Sequence, residues 1–263
     1  MNRSELAKLI DLSCLKPFAA RADIEKICAE AKENGFYAVC VNSCWIEAAK
    51  GLLSPSSEKC DNCSPDNIEG ELKSHFSERA VESKSHDAPT PGLQNSKTEV
   101  KVVSVVGFPF GASSAGSKVY EARQAIAEGA DEIDMVMNLG LLKSGGFSGV
   151  EKEIVAVKRI CGRKALKVII ECCYLTDDEK INACKIAASA RADFVKNSTG
   201  FGTGGATVRD VALMKKALEG TGVKIKAAGG IKSYGDAMKM IRAGASRIGT
   251  SAGTEILRGA ADD

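Results

Sequence analysis

Histidine is nearly missing from this chain of 263 residues: only His75 and His86 occur, and both fall inside one segment, Ser54 to Lys97. Elsewhere an imidazole-based metal centre or a histidine general base is hard to place, and lysine and carboxylate remain for proton work. Net charge is equally scarce, with 36 basic against 34 acidic residues and a balance of +2. That balance gives no global attraction to nucleic acid or to an anionic membrane, so any anion site must be local. No apolar run approaches the roughly 18 residues of a transmembrane helix, and the start, MNRSELAKLIDLS, lacks the apolar core of a signal peptide. A soluble, cytoplasmic protein without nucleic-acid or membrane partners is expected. A GxGxxG loop after the first strand is also missing, which argues against a doubly wound nucleotide-binding sheet. The ten cysteines are not a disulfide framework, because the chain is too long for a stapled miniprotein and Cys40, Cys172 and Cys173 lie in apolar runs. Reduced core thiols are expected.

What is present is a regular alternation. Short β-branched runs predict strands at Ile10 to Leu12, Ala38 to Val41, Lys101 to Val106, Glu132 to Met137, Lys167 to Glu171, Asp193 to Lys196, Val223 to Lys226 and Arg247 to Gly249. Helical periodicity covers Asp23 to Asn34, Val119 to Glu128, Val150 to Ile160, Asp177 to Ala190, Thr207 to Ala217 and Tyr234 to Ala243. Thr176 is placed to cap a helix, and Gly35, Gly129 and Gly244 fall where helices should stop. Eight strands of one βα type predict an α/β protein, a single-domain (β/α)8 barrel over residues 1 to 263, with an open sheet as the structural alternative. Ser54 to Lys97 interrupts it. That segment holds four of the six prolines and 8 acidic against 5 basic residues, and reads as a flexible surface insertion at about residues 54 to 98. Its Cys60, Cys63, His75 and His86 do not have the usual zinc spacing, and no metal is expected.

Two lysines stand in apolar strands. Lys196 lies in DFVKNSTG and Lys226 in VKIKAAGGIK. An ammonium out of water pairs with a carboxylate, snorkels, or works as a neutral amine that attacks carbonyls, and two such lysines suggest aldol chemistry. In GADEIDMVMN, alternation places Glu132 and Asp134 on one face; Asp134 lies deeper in the apolar run and is the candidate for proton transfer. Three glycine-rich loops follow strands six, seven and eight: STGFGTGG, AAGGI and RIGTSAG, the last leading into a short helix that begins near Ala252. Backbone N–H groups around Gly200, Gly229, Gly230 and Gly249, with Lys232, Thr250 and Ser251 as side-chain donors, are the candidate phosphate cradle. Turn glycines and structural ion pairs are the plain alternatives.

These motifs, with VKVVSVVGFPFG, LKVIIECCYLT and IDLSCLKP, resemble the deoxyribose-phosphate aldolases, in family order on both sides of the insertion. The resemblance implies a class I aldolase that reversibly cleaves 2-deoxy-D-ribose 5-phosphate into acetaldehyde and D-glyceraldehyde 3-phosphate, with no cofactor. It implies a Schiff base on Lys196, proton transfer by Asp134, support from Lys226, and a polar pocket that includes Asp11 and Lys167. Phosphosugar and aldehyde substrates are the expected partners, and assembly is open between a homodimer and a homotetramer. The chain departs from the family pattern at Leu12, Ser13 and Cys14, at Asn197, and at its end, RGAADD, which lacks the tail tyrosine that some members fold over the site. Another Schiff-base aldolase or transaldolase, and a noncatalytic phosphosugar-binding barrel, are the competing readings. On the first reading Lys226→Leu is expected to cut turnover at least about a hundredfold and to disturb the fold little.

Overall fold

The β-branched runs form eight parallel strands in the computed structural model, which describes residues 1–54 and 99–261. They are β1 (Ile10–Cys14), β2 (Ala38–Val41), β3 (Lys101–Val106), β4 (Glu132–Val136), β5 (Ala165–Ile169), β6 (Phe194–Lys196), β7 (Lys224–Ala228) and β8 (Arg247–Thr250). Each pairs with the next, and Asp11 of β1 lies opposite Gly249 of β8, so the sheet closes as a barrel. The insertion expected at residues 54 to 98, with Cys60, Cys63, His75 and His86, lies outside the described residues beyond Ser54.

Helices return the chain along the outside: α1 (Arg3–Ala7), α2 (Arg21–Asn34), α3 (Ile46–Leu53), α4 (Ala115–Ala127), α5 (Leu139–Lys143), α6 (Phe147–Cys161), α7 (Asp177–Ser189), α8 (Val208–Ala217), α9 (Tyr234–Ala243) and α10 (Gly253–Arg258). Thr176 caps α7 in a reciprocal capping box with Glu179, and Gly35 ends α2 at φ 64°, a left-handed conformation that glycine adopts without steric cost. Thr207, expected inside a helix, instead caps α8 by accepting from the Asp210 N–H.

The largest correction concerns β5. The run through Glu171 reads as strand, but pairing with β4 ends at Ile169, and Glu171 turns to φ 43°. β7 extends two residues beyond its expected end, to Ala228.

Strand alternation divides the core. Leu12, Val39, Val102, Ile133, Val168 and Ile248 join the large apolar cluster shared with the helices. On the other face β2 and β3 contribute a small apolar cluster, Ala38, Cys40, Val103 and Val105. The inward positions of β1 and β4 through β8 carry the charged residues Asp11, Glu132, Asp134, Lys167, Lys196, Lys226 and Arg247, and there the site forms.

Candidate active site

Seven charged residues meet in the barrel, Asp11, Glu132, Asp134, Lys167, Lys196, Lys226 and Arg247, and all of them are buried. Strand register sets them side by side, with Asp134 opposite Lys167, Lys196 opposite Lys226, and Lys226 opposite Arg247. Lys167 Nζ is 2.6 Å from Glu132 Oε2 and donates to Asp134 Oδ1 at 2.8 Å. Lys196 Nζ donates to Asp134 Oδ2 at 3.0 Å, and Lys226 Nζ donates to the same oxygen at 2.9 Å. Lys226 Nζ also lies 2.5 Å from Asp11 Oδ2, while Arg247 Nη1 donates to Asp11 Oδ1 at 2.9 Å and lies 3.8 Å from Glu132 Oε2.

Four cations therefore face three carboxylates. Lys196 is the cation with a single carboxylate contact; Lys167, Lys226 and Arg247 each bridge two. Burial works against ionisation of Asp134, but the ammonium groups of Lys167, Lys226 and Lys196 outweigh it and hold the carboxyl well below the ordinary carboxylate range. Burial likewise opposes charge on Asp11 and is overcome by Lys226 and Arg247. Burial alone would weaken the hold of Lys226 on its proton, yet Asp11 and Asp134 raise its affinity above that of an ordinary lysine. Asp134 is thus an ionised carboxylate, and Lys226 a persistent cation beside it.

A cavity of about 370 Å³ opens over Lys196, which alone of the seven charged residues lines it. All seven residues expected for the phosphate cradle line the same cavity: Gly200, Gly229, Gly230, Lys232, Gly249, Thr250 and Ser251. Their local roles differ. Gly229 and Gly230 take φ 92° and 78°, which favour glycine. The Gly200 N–H donates to Ser198 Oγ at 3.0 Å. Thr250 donates its hydroxyl to the Ile231 carbonyl at 2.7 Å and accepts from the Ala252 N–H at 2.9 Å, so it braces two loops and is not a free donor. Gly249 leaves room for a lysine: a Cβ there would stand 3.0 Å from Lys226 Cε.

Sequence reasoning missed several members. Lys16 and Lys26 also line the cavity. At the other barrel end Tyr37 donates to Glu132 Oε1 at 2.8 Å and its ring lies 3.4 Å from the Arg247 guanidinium. Glu171, buried beneath the loop after β6, accepts from the Thr199 N–H at 3.2 Å and from the Thr199 hydroxyl. Asn197 accepts from the Ala228 N–H at 2.7 Å and ties β6 to β7. Among the departures, Leu12 faces the helices, and only Ser13 and Cys14 line the cavity. Among the described residues no three His, Cys, Asp or Glu side chains group as metal ligands.

Comparison with known proteins shows the family. Residues 92–260 match the model of the DeoC/LacD family aldolases. The chain belongs to that family. A deoxyribose-phosphate aldolase of Thermococcus kodakarensis is 44% identical over 265 residues, covering 100% of both chains. A solved structure from Coccidioides immitis, described as a putative deoxyribose-phosphate aldolase, superposes with TM-score 0.80 at 34% identity, covering 98% of this chain and 86% of that one. The deoxyribose phosphate aldolase of Aeropyrum pernix, described as having a unique tetrameric structure, superposes with TM-score 0.75 at 27% identity, over 97% of this chain and 91% of its own. For a member of an aldolase family, a buried lysine that opens from an ionic cluster into a cavity is a site equipped for carbonyl chemistry.

Proposed function

We propose that this aldolase reversibly cleaves 2-deoxy-D-ribose 5-phosphate to acetaldehyde and D-glyceraldehyde 3-phosphate through a Schiff base on Lys196. The observation that carries the reading is the access of Lys196: it is the one amine of the cluster that lines the cavity, and it gives up the fewest ion contacts when it loses a proton. The neutral amine attacks C1 of the open-chain sugar, and loss of water gives a protonated imine. The C3 hydroxyl then yields its proton, through a water, to Asp134. The C2–C3 bond breaks, its electron pair moves toward the imine nitrogen as an enamine, and glyceraldehyde 3-phosphate leaves. The shared proton returns to C2, and water releases acetaldehyde from Lys196.

Lys226 holds Asp134 in place and keeps the site positive without competing for the carbonyl, because both Asp11 and Asp134 retain its proton. Asp11 and Lys167 complete the polar floor. The phosphate is assigned to Gly229, Gly230 and Ser251, with Lys232 or its neighbours Lys16 and Lys26 supplying charge, remote from the bond that breaks. Eight described cysteines are free thiols, which fits a reducing, cytoplasmic location, and the tetrameric relative supports assembly as a homo-oligomer. No helix among the described residues is long and apolar enough to cross a membrane.

Borohydride reduction in the presence of acetaldehyde, followed by peptide mass mapping, tests the reading. A reduced two-carbon adduct on Lys196 is expected. An adduct on another lysine, or none with turnover intact, would overturn it, and preference for fructose phosphates over deoxyribose 5-phosphate would reassign the substrate.

A further inference from the structure

We propose that Glu132 and Arg247, at the barrel end opposite the substrate cavity, are positioning residues that set with opposite sign how readily the lysine cluster releases its one excess proton. The proposal rests on Lys196 being the Schiff-base nucleophile. Glu132 and Arg247 are the first residues of β4 and β8, and both line a second cavity of about 720 Å³ at the N-terminal mouth. Neither lines the cavity over Lys196, so neither touches substrate. Both are nevertheless linked by ion pairs to residues that grip Asp134: Glu132 is one pair away, through Lys167, and Arg247 is two pairs away, through Asp11 and then Lys226.

The sign follows from the charges that face this pair from every surrounding strand. They are Asp11 from β1, Lys101 from β3, Asp134 from β4, Lys167 from β5, Lys196 from β6 and Lys226 from β7. Tyr37 stands before β2, and the Cys40 thiol of β2 stays protonated because burial pushes it up. Lys224 lies farther out, over the Phe194 ring at 5.9 Å, and Asp131, Arg163, Lys164, Arg191 and Asp193 also line the N-terminal cavity, outside the buried ionic cluster. With all lysines protonated, the buried cluster has four positive and three negative groups, and release of one proton makes it neutral. Without the Arg247 charge, the protonated cluster is already neutral, and releasing a proton leaves a buried negative charge. Without the Glu132 charge, the protonated cluster has two positive charges in excess and releases one more easily. Protons in such a cluster belong to the whole set, so a change at its base is felt at its top.

The test is the pH dependence of borohydride trapping with acetaldehyde, measured as a rate from about pH 5 to 10. The wild-type protein comes first: an adduct absent from Lys196 refutes the nucleophile assignment, and the proposal, which rests on it, falls with it. With that adduct in hand, Arg247→Gln should move the acidic limb of the rate upward and Glu132→Gln downward, each by roughly one pH unit, as expected for a unit charge about 10 Å away at an effective dielectric near 20. Arg247→Lys, which keeps the charge, should restore the limb. Tyr37→Phe, which removes hydrogen bonds but no charge, should leave it in place. Shifts in the same direction, or slower trapping with an unmoved limb, overturn the proposal and leave the pair a purely structural role. If Arg247→Gln does not fold, Lys101→Gln removes a positive charge 3.5 Å from Glu132 at a half-exposed position. A smaller upward shift then supports the proposal, and an absent or downward one overturns it.

Discussion

Lys226→Leu separates the two jobs that Lys226 performs. Its ammonium is fully buried, 2.5 Å from Asp11 Oδ2 and 2.9 Å from Asp134 Oδ2. Removing one partner of a buried ion pair costs about 3 to 5 kcal/mol, and the lower end applies because Arg247 still holds Asp11 and Lys167 still holds Asp134. A loss of about 3 kcal/mol lowers the melting temperature by roughly 6 to 12 °C in a domain of this size. The second partner, Asp11 on β1, therefore predicts a larger loss of stability than the sequence alone suggests. Catalysis should fall by a comparable amount. Three cations would face three carboxylates, the excess proton would be gone, and turnover near pH 7.5 should drop at least about a hundredfold, equivalent to ~2.7 kcal/mol of barrier. Partial recovery is expected at higher pH. The assay pairs thermal unfolding with turnover and borohydride trapping in the same buffers. Adding Asp11→Asn restores a positive excess, with three cations against two carboxylates, and should recover part of both stability and turnover. Wild-type turnover in a folded Lys226→Leu protein would refute the electrostatic argument, and an unchanged melting temperature would refute the ion-pair argument.

The remaining predictions concern other buried charges. Lys118 and Glu153 form an ion pair at 2.9 Å between α4 and α6, where burial pushes the lysine down and the carboxyl up. Glu153→Ala alone should cost about 3 kcal/mol in denaturant unfolding, whereas Lys118→Met with Glu153→Leu should stay within about 1 kcal/mol of wild type or exceed it; equal losses would contradict this. Glu171→Ala should loosen the loop after β6 and raise KM for the phosphorylated substrate about tenfold while acetaldehyde trapping on Lys196 hardly changes; equal decline in both would show general misfolding. Asp11, Glu132 and Asp134 are all held below the ordinary carboxylate range, so the stability they contribute is present above about pH 4 and is lost as pH falls through their depressed values. Melting temperatures that stay flat well below pH 4 would remove that contribution.

The barrel was legible because its signals are local and repeated: each β-branched run is followed by a helical period and a stop. Short elements were not. Arg3–Ala7 and Leu139–Lys143 span little more than one turn each, too short for a periodic face, and are stabilised by caps at Asn2 and Asn138. Lys196, Lys226 and Asp134 were legible because an ionisable group in an apolar strand conflicts with its surroundings unless it has a partner or a task. Arg247 escaped the same logic. It stands at a strand start, where arginine is unremarkable, and its partner Asp11 lies 236 residues away, brought near only by closure of β8 onto β1. Glu171 escaped because the apolar run before it reads as continuous strand, and the left-handed turn that aims its carboxylate at Thr199 has no glycine to announce it.

Stability alone does not account for a barrel filled this way. Ionised groups lose hydration on burial, and well-packed apolar side chains of similar volume commonly serve a fold as well or better. The lumen itself makes the contrast, since β2 and β3 fill their share with Ala38, Cys40, Val103 and Val105 while the remaining strands supply seven charges. An apolar filling could not keep Asp134 ionised out of water, nor hold Lys226 as a cation beside an amine that must become neutral. Lys196 is the least anchored cation of this uneven set and the one that lines the cavity. On the Schiff-base proposal the ionic core is accounted for by reactivity at one amine, with the closed sheet holding the other six groups in register around it.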